Sequence, residues 1–270
     1  MSASSDLDPA AVKAIDVHGH YGTYWREGMP KYYNDCMTGD AALVAERARL
    51  ARIEWTVVSP LLALLPRGGA DAFSGNAEAH AVVPKTPGLL QWAVVNPLQP
   101  ATFDQAEAML KATWCRGIKI HPEEHRYPIR EQGGRIFEFA ARLRTVVLTH
   151  SGEELSLPAD FVPFADAFPE ARLILAHLGL GPNGDIGQQV RAVAKSRHGN
   201  IYTDTSSARS MFAGLIEWAV GEIGADRILF GTDTPLYFTG CQRRRIDQAE
   251  IPVEARVKIL STNARRLLGL

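Results

Sequence analysis

Cysteine is scarce in this chain, and neither sign of charge dominates. The three cysteines, Cys36, Cys115 and Cys241, are scattered without a CxxC or similar spacing, which excludes a disulfide framework and a zinc site built from thiolates. Basic residues number 29 and acidic residues 30, and neither kind forms long runs. This balance argues against nucleic acid or an anionic membrane surface as the partner. We expect a small-molecule partner instead.

Long apolar runs are also absent. No run approaches the roughly 20 residues that a membrane span needs, and the N-terminal MSASSDLDPAAVK has no basic stretch followed by an apolar one. We therefore expect a cytoplasmic protein without a membrane segment. No Gly-, Ser- or Pro-rich linker divides the chain, so residues 1–270 are predicted to form one domain, with residues 1–12 as a flexible lead-in. A homodimer is the default expectation.

What the sequence does contain is a recurring short apolar run, rich in β-branched residues, that ends in a polar residue. The eight runs are AIDVHGH, WTVVSP, LQWAVVNP, GIKIHP, TVVLTHS, LILAHLG, NIYTDTS and ILFGTD. Continuous apolarity is typical of strands buried on both faces, as in a parallel sheet covered by helices. Segments with apolar residues at helical spacing separate the runs. The alternation predicts an α/β fold, a closed (β/α)8 TIM-like barrel, with a doubly wound open sheet as the alternative.

Several metal-capable residues fall at the ends of these runs. His18 and His20 end the first run, and His150, His177 and Asp233 end the fifth, sixth and eighth. In a (β/α)8 barrel the active site lies at the C-terminal ends of the strands. A closed barrel would therefore bring these side chains around one mouth.

A catalytic metal centre is the chemistry that this set indicates. His18, His20, His150 and Asp233 supply three imidazoles and one carboxylate, which suit zinc, with manganese, cobalt or iron as alternatives. One ion per chain is favoured over two. A bound metal makes hydroxide available near neutral pH. In this hypothesis Asp233 also accepts a proton from the water, and His177 orients the water or carries a proton.

The fourth run, GIKIHP, contributes two further candidates. Lys119 alternates with Ile118 and Ile120, so its side chain should point the opposite way, into the mouth. It could bridge two metals as a carboxylated lysine, bind a substrate carboxylate or form a buried ion pair, and the last two roles are favoured. His121 could hydrogen-bond the substrate or satisfy the loop backbone.

Loops that follow the strands should select the substrate. Their aromatic and basic residues could stack on a planar ring and pair with a carboxylate. These candidates are Tyr21, Tyr24, Trp25 and Arg26 in the first loop, with Arg126 and Arg209 farther along the chain.

The motifs DVHGH, GIKIHP, THSG, AHLG, FGTDTP and the terminal NARRLLGL together resemble the amidohydrolase superfamily, in particular the amidohydrolase-2 group that includes aminocarboxymuconate-semialdehyde decarboxylase. The resemblance covers nearly the whole chain. It implies a distorted (β/α)8 barrel with one divalent metal held by His18, His20, His150 and Asp233, and with His177 as the acid/base partner. In binuclear relatives a lysine at the position of Lys119 is carboxylated.

The resemblance leaves the reaction open, because members of the group either hydrolyse esters, lactones or amides or decarboxylate aromatic or muconate-like acids. The first hypothesis is a metal-dependent hydrolase that acts on a small carboxylated substrate through activated water. The alternative is a metal-dependent non-oxidative decarboxylase, a lyase. The third is a non-catalytic binding protein on the same fold, which is disfavoured because a decayed site should have lost a member of the His/His/His/Asp set.

Overall fold

Eight parallel strands form one sheet in the order of the chain. The computed structural model describes residues 11–207 and 211–270. The strands are β1 Ala14–Tyr21, β2 Ile53–Pro60, β3 Leu89–Val94, β4 Cys115–Ile120, β5 Val146–Thr149, β6 Arg172–Leu175, β7 Ile201–Asp204 and β8 Ile228–Leu229.

Backbone hydrogen bonds between the first strand and the residues around the last one close this sheet. The N–H of Val17 donates to the carbonyl of Phe230 at 2.9 Å, and the N–H of Asp233 donates to the carbonyl of His18 at 2.7 Å. With helices between the strands, the sheet is a (β/α)8 barrel. The predicted barrel is confirmed, and the open doubly wound sheet is excluded.

Helices follow the strands and cover the outside of the barrel. They are α1 Lys31–Cys36, α2 Ala41–Leu50, α3 Ala72–Val82, α4 Ala101–Met109, α5 Pro122–His125, α6 Ile129–Arg142, α7 Pro158–Ala167, α8 Gln188–Ala194, α9 Leu215–Ile223, α10 Thr239–Asp247, α11 Val253–Val257 and α12 Asn263–Leu268. A π-helical turn at Lys258–Thr262 joins the last two. None of the helices in residues 11–207 and 211–270 is both long and apolar enough to cross a bilayer.

Apolar side chains fill two layers. Between the barrel and the helices, Ile118 and Ile120 of β4 pack in a cluster with Phe137 of α6. Inside the barrel, the indole N–H of Trp92 in β3 donates to the carbonyl of Val17 in β1 at 2.8 Å, past the intervening strand β2. These buried layers stabilise the scaffold that carries the strand ends.

The last helix covers the end of the barrel where the strands begin. Leu267 of α12 belongs to the same apolar cluster as Ile15 and Trp92 inside the barrel, and its carbonyl accepts a hydrogen bond from Arg172, the first residue of β6. The opposite end, where the strands finish, is left free for polar side chains.

Two sequence predictions concern the organisation of the chain. The flexible lead-in at residues 1–12 falls almost entirely on residues 1–10, which lie outside the described residues. The single-domain assignment for residues 1–270 stays a prediction. Helix α10 was not predicted, because its sequence TGCQRRRID has almost no apolar periodicity.

Candidate metal centre

The HGH segment at the end of β1 is tightly packed around its glycine. A Cβ added to Gly19 would lie 2.5 Å from Cγ2 of Thr56 in β2 and 3.2 Å from Cγ2 of Thr234. Only glycine therefore lets β1 pass this close to β2 and to the residues after β8. The pairing between β1 and β2 is irregular between Asp16 and Gly19.

Asp16 ties this segment to the residues after β8. Its fully buried carboxylate accepts hydrogen bonds from the N–H of His18 at 3.0 Å, the N–H of Thr232 at 3.0 Å and the hydroxyl of Thr232 at 2.6 Å. Burial raises the pKa of Asp16 to about 7, although the bonds from Thr232 and His18 oppose the shift. Asp16 thus ties the backbone of His18 to Thr232, the residue that precedes Asp233, without any bound ligand.

Three donor atoms meet at the mouth of the barrel. Nε2 of His20 lies 3.1 Å from Oδ1 of Asp233, and Nε2 of His18 lies 3.6 Å from the same oxygen. Ligands about 2.1 Å from one ion stand roughly 3.0–3.4 Å apart, so these separations suit a shared ion. The three residues form a buried group whose ligand atoms all lie within 4.8 Å of one another. The donor set fits a divalent metal.

Each histidine ring is oriented by a contact to its other nitrogen. Nδ1 of His20 lies 3.1 Å from the carbonyl of Ser59, and Nδ1 of His18 lies 3.0 Å from Oδ2 of Asp204. A proton held on Nδ1 by these acceptors leaves the lone pair of Nε2 for an ion. The rings therefore present Nε2 toward Asp233 in the tautomer that a metal requires.

Asp204, the last residue of β7, was missed by the sequence analysis. It is fully buried, and its Oδ1 accepts hydrogen bonds from the N–H of His177 at 3.1 Å and the N–H of Ser206 at 3.0 Å. Its position in NIYTDTS, a polar residue ending the seventh apolar run, is the same signal that pointed to His150 and His177. Asp204 also forms a buried group with His18 and His177, but its saturated oxygens make it a positioning residue for His18.

His177 and Asp233 occupy unusual backbone conformations. Their φ angles are 68° and 57°, in the left-handed region that side chains other than glycine adopt at a cost. Both follow the ends of strands, β6 and β8. Both side chains lie at the mouth of the barrel, so the left-handed backbone occurs at two positions that line the site.

His150, predicted as the fourth ligand, is not part of the group formed by His18, His20 and Asp233. Its Nδ1 lies 3.0 Å from Nε2 of His177, and its Nε2 lies 2.6 Å from Oε2 of Glu153. Both ring nitrogens are therefore engaged outside the group. Its role as a ligand stays a prediction, as does the acid/base role of His177.

Lys119 is fully buried, and its side chain points away from Ile118 and Ile120 as the alternation of β4 predicts. Its Nζ lies 3.0 Å from Nε2 of His18. Within residues 11–207 and 211–270, no carboxylate oxygen forms an ion pair with this amine. Burial lowers the pKa of Lys119 to about 8, while Asp233 and Asp204 oppose the shift.

The pKa shifts in the centre favour an ionised Asp233 beside neutral His18 and His177 rings. Burial alone would raise the pKa of Asp233, but the hydrogen bond with His20 and the nearness of His18 hold it below its ordinary range. Burial and the nearby Lys119 lower the pKa of His18 to about 4, and burial lowers that of His177 well below its ordinary value. An ionised carboxylate beside neutral imidazoles is the state in which these groups bind metals.

His121 satisfies the backbone at the start of α5. Its Nδ1 accepts a hydrogen bond from the N–H of Glu124 at 3.3 Å, and its ring stacks on that of His150 with 4.3 Å between centroids. Burial and the neighbouring His150 lower the pKa of His121 well below its ordinary value. The side chain also lines the cavity described next, so contact with a substrate stays a prediction.

A cavity of about 370 Å³ opens above the three donor atoms, within the range of small-molecule sites. Its floor carries the histidines and Asp233. Its walls carry Leu61, Leu64, Leu65, Leu180, Leu236, Tyr24, Tyr237, Ser207, Arg26, Arg67, Glu124 and Glu153.

The cavity includes two of the predicted substrate-binding residues from the first loop, Tyr24 and Arg26, and omits the other two. Tyr21 is instead buried in an apolar cluster with Val44 and Val58, because it is the last residue of β1 and faces α2. Trp25 is 47% exposed and lies outside the lining.

Of the predicted arginines farther along the chain, Arg126 follows α5 with its side chain against Gly68, and it does not line the cavity. Arg209 lies outside the described residues. Arg67 and Glu124 line the cavity but were missed, because nothing in LLPRGG or HPEEH indicates that these loops meet.

A parallel barrel with a His/His/Asp group at the carboxyl ends of its strands is the architecture of a metal-centred barrel enzyme. A family model described as Amidohydrolase matches residues 15–270. The chain belongs to this family, which confirms the resemblance drawn from the motifs.

The curated protein that this chain resembles in sequence is a decarboxylase. Over 119 residues the chain is 35% identical to the gamma-resorcylate decarboxylase of Rhizobium radiobacter, a stretch that covers 39% of this chain and 36% of that protein. The match thus spans about a third of the curated relative.

Solved structures share the fold. The crystal structure of 2,6-dihydroxybenzoate decarboxylase from Rhizobium superposes with a TM-score of 0.72 and 17% identity, covering 95% of this chain and 98% of that one. The dihydroxybenzoic acid decarboxylase from Polaromonas sp. JS666, solved with manganese and 2-nitroresorcinol, superposes with a TM-score of 0.71 and 20% identity, covering 95% and 97%.

The expectation of a hydrolase is wrong, because these similar proteins are decarboxylases and thus lyases rather than hydrolases. The physical reason for the error is that the ligand motifs specify a metal centre, and the same centre can serve either reaction. The sequence contains no separate signal for the bond that is broken.

Proposed function

We propose that the protein is a metal-dependent, non-oxidative decarboxylase of a small aromatic carboxylic acid. The stretch 35% identical to a gamma-resorcylate decarboxylase carries the proposal. The geometry supports it, since a cavity of about 370 Å³ with leucine walls, a His/His/Asp floor and two arginines suits a flat ring with acidic substituents.

In this proposal His18, His20 and Asp233 hold one divalent ion, with His150 as the predicted fourth ligand. When bound, the ion supplies Lewis-acid polarisation of the carboxylate and neighbouring oxygen of the substrate. We place manganese ahead of zinc, because the Polaromonas fold relative contains manganese and nitrogen/oxygen donors suit both metals.

Decarboxylation replaces a carbon–carbon bond with a carbon–hydrogen bond. A proton adds to the ring carbon that bears the carboxylate, the bond to the carboxylate breaks, and its electron pair restores the aromatic ring as carbon dioxide leaves. Asp233 lines the floor of the cavity, and His177 contacts both His150 and the hydroxyl of Ser206. The proton comes from solvent, because Asp233 is ionised and His177 neutral in the free protein, and we assign its transfer to the ring to Asp233 and His177.

The leucine walls have a separate task. Leu61, Leu64 and Leu65 follow β2, and Leu180 and Leu236 come from the loops after β6 and β8. Apolar side chains from three loops remove water from a bound ring. A carboxylate that loses water of hydration leaves more readily as neutral carbon dioxide.

The test is product analysis with 2,6-dihydroxybenzoate and other hydroxybenzoates. We expect carbon dioxide and the corresponding phenol in equal amounts from the manganese-loaded protein, and loss of at least about a thousandfold in rate for Asp233→Asn. Asp247→Asn, in α10, is the matched control and should leave the rate unchanged. Absence of carbon dioxide with manganese and with zinc across the panel would refute the proposal.

We infer that the protein acts on a small molecule rather than on nucleic acid, that it is cytoplasmic and that it forms a homodimer. The balanced charge supports the first point, since 29 basic residues oppose 30 acidic ones. Sedimentation equilibrium of the purified protein tests the dimer.

A further inference from the structure

One wall of the cavity consists of two arginines that share a single buried carboxylate. Arg26 from the loop after β1 and Arg67 from the loop after β2 both bind Glu124 of α5. Oε1 of Glu124 accepts from Nη2 of Arg26 at 2.7 Å and from Nη2 of Arg67 at 3.0 Å. Oε2 accepts from Nη1 of Arg26 and Nε of Arg67, each at 3.2 Å. We call Arg26, Arg67 and Glu124 the arginine wall.

The burial of the three side chains differs in a way that exposes the donors and hides the acceptor. The side chain of Glu124 is 6% exposed, whereas those of Arg26 and Arg67 are 27% and 36% exposed. Both arginines line the cavity. The carboxylate thus fixes two guanidinium groups that remain open to a ligand, and the three groups together carry one positive charge.

Hydrogen-bond donors remain on this wall after Glu124 has been satisfied. A guanidinium has five N–H groups. Arg67 uses Nε and Nη2 on Glu124, and its Nη1 bonds to no atom of residues 11–207 and 211–270. Arg26 uses Nε on the hydroxyl of Tyr24 at 3.3 Å and one N–H on each terminal nitrogen for Glu124. A second carboxylate on the ligand could accept from the remaining N–H groups.

The other acidic residue of this region does not compete for these donors. Oε2 of Glu153 lies 2.6 Å from Nε2 of His150, and no ion pair joins Glu153 to either arginine in the described part of the chain. The negative charge of Glu153 offsets the positive charge of the arginine wall, and its carboxylate has no N–H or O–H to donate to an anion. Recognition of an anion therefore depends on guanidinium N–H groups, which bind carboxylates in two-point geometry.

We propose that the arginine wall binds a second acidic group of the substrate, so that the natural substrate is an aromatic acid with two anionic substituents. One group meets the His18, His20 and Asp233 centre and the other meets Arg67 and Arg26. This inference deepens the proposed decarboxylase function and rests on it. Its physical basis is that both sets of groups line one cavity of about 370 Å³.

The test is a calorimetric titration of the manganese-loaded protein with benzoate, benzene-1,3-dicarboxylate and benzene-1,4-dicarboxylate. These probes lack the ring hydroxyl and report binding without turnover. We expect at least one dicarboxylate to bind about tenfold or more tightly than benzoate. Arg67→Leu should abolish this preference and leave benzoate affinity within about twofold, because benzoate engages only the metal centre.

Two further variants keep the result interpretable. Arg67→Lys retains the charge without the fork and should keep only part of the preference. Arg142→Leu removes an arginine that makes a comparable two-point pair with Glu107 on the surface, and it should behave as wild type. Should Arg67→Leu fail to fold, as seen by circular dichroism, Arg67→Lys decides.

Equal binding of all three probes by the wild type would overturn the inference, as would a preference that survives in Arg67→Leu or stays undiminished in Arg67→Lys. The proposed function fails separately, through absent carbon dioxide release, which the titration does not measure.

Discussion

Asp204 offers the sharpest test of how the metal centre is built. Its Oδ2 accepts a hydrogen bond from Nδ1 of His18 at 3.0 Å, while its Oδ1 accepts hydrogen bonds from the N–H groups of His177 and Ser206. In Asp204→Asn the amide oxygen should stay with the two backbone donors, since turning the amide would set N–H groups against them. The amide nitrogen then faces Nδ1 of His18 and donates to it.

That reversal moves the proton of the His18 ring. An Nδ1 that accepts a hydrogen bond requires the neutral ring to carry its proton on Nε2, the nitrogen that faces Asp233. A protonated Nε2 cannot bind a metal. Loss of one such outer contact typically weakens metal affinity about 10- to 100-fold, which is about 1.4–2.8 kcal/mol. The shape of the side chain is unchanged, so the barrel should remain folded.

The assay is calorimetric titration of manganese into the wild type and Asp204→Asn, with circular dichroism to confirm folding. His18→Ala sets the scale for complete loss of one ligand. Asp247→Asn is the matched control, because Asp247 accepts from Nε of Arg243 at 2.9 Å in α10. Manganese affinity within twofold of the wild type in Asp204→Asn would refute the tautomer argument.

Three further outcomes follow from the structure. Gly19→Ala should lower the unfolding free energy by about 1–3 kcal/mol in urea titrations, because the added Cβ meets Thr56 at 2.5 Å, and no change would contradict the packing described for the HGH segment. Manganese should raise the thermal midpoint of the wild type and chelation should reverse the rise, with no response in Asp233→Ala; an equal rise in that variant would place the ion elsewhere. Burial would raise the pKa of Glu124, but Arg67 and Arg26 lower it below its ordinary value, so its stabilisation is present above the unfolded pKa and lost as pH falls through the folded one. The stability difference between wild type and Glu124→Gln, measured by urea unfolding, should therefore be steady above the unfolded carboxyl pKa of about 4.3 and shrink as pH falls below it, and a difference that stays constant at lower pH would contradict the ion-pair origin of the lowered pKa.

The barrel could be predicted from the sequence because its strands are buried on both faces, so runs such as TVVLTH and LILAH stand out as continuous apolar segments. The same runs place His18, His20 and Asp233 at one end of the sheet. Asp204 could have been found by the same rule. These features follow from the periodicity of the chain and from the topology of a closed parallel sheet.

The cavity walls could not be predicted in this way. Arg67 and Glu124 lie 57 residues apart and meet because two loops fold over the barrel mouth, and no periodic pattern encodes loop conformation. Tyr21 was misplaced because it extends β1 rather than starting the loop. The ligand motifs alone could not decide between hydrolysis and decarboxylation, because the same metal centre can serve either reaction.

At His177 and Asp233, which have a left-handed backbone, the residue that would favour stability differs from the one that the proposed chemistry requires. Glycine adopts φ angles of 68° and 57° freely, whereas histidine and aspartate do so at a cost of about 1 kcal/mol or more. Replacing either residue with glycine would relax the backbone while deleting a side chain to which the proposed function assigns a role. If the proposed function holds, substitutions chosen for heat tolerance alone would therefore tend to remove the two side chains assigned to the reaction.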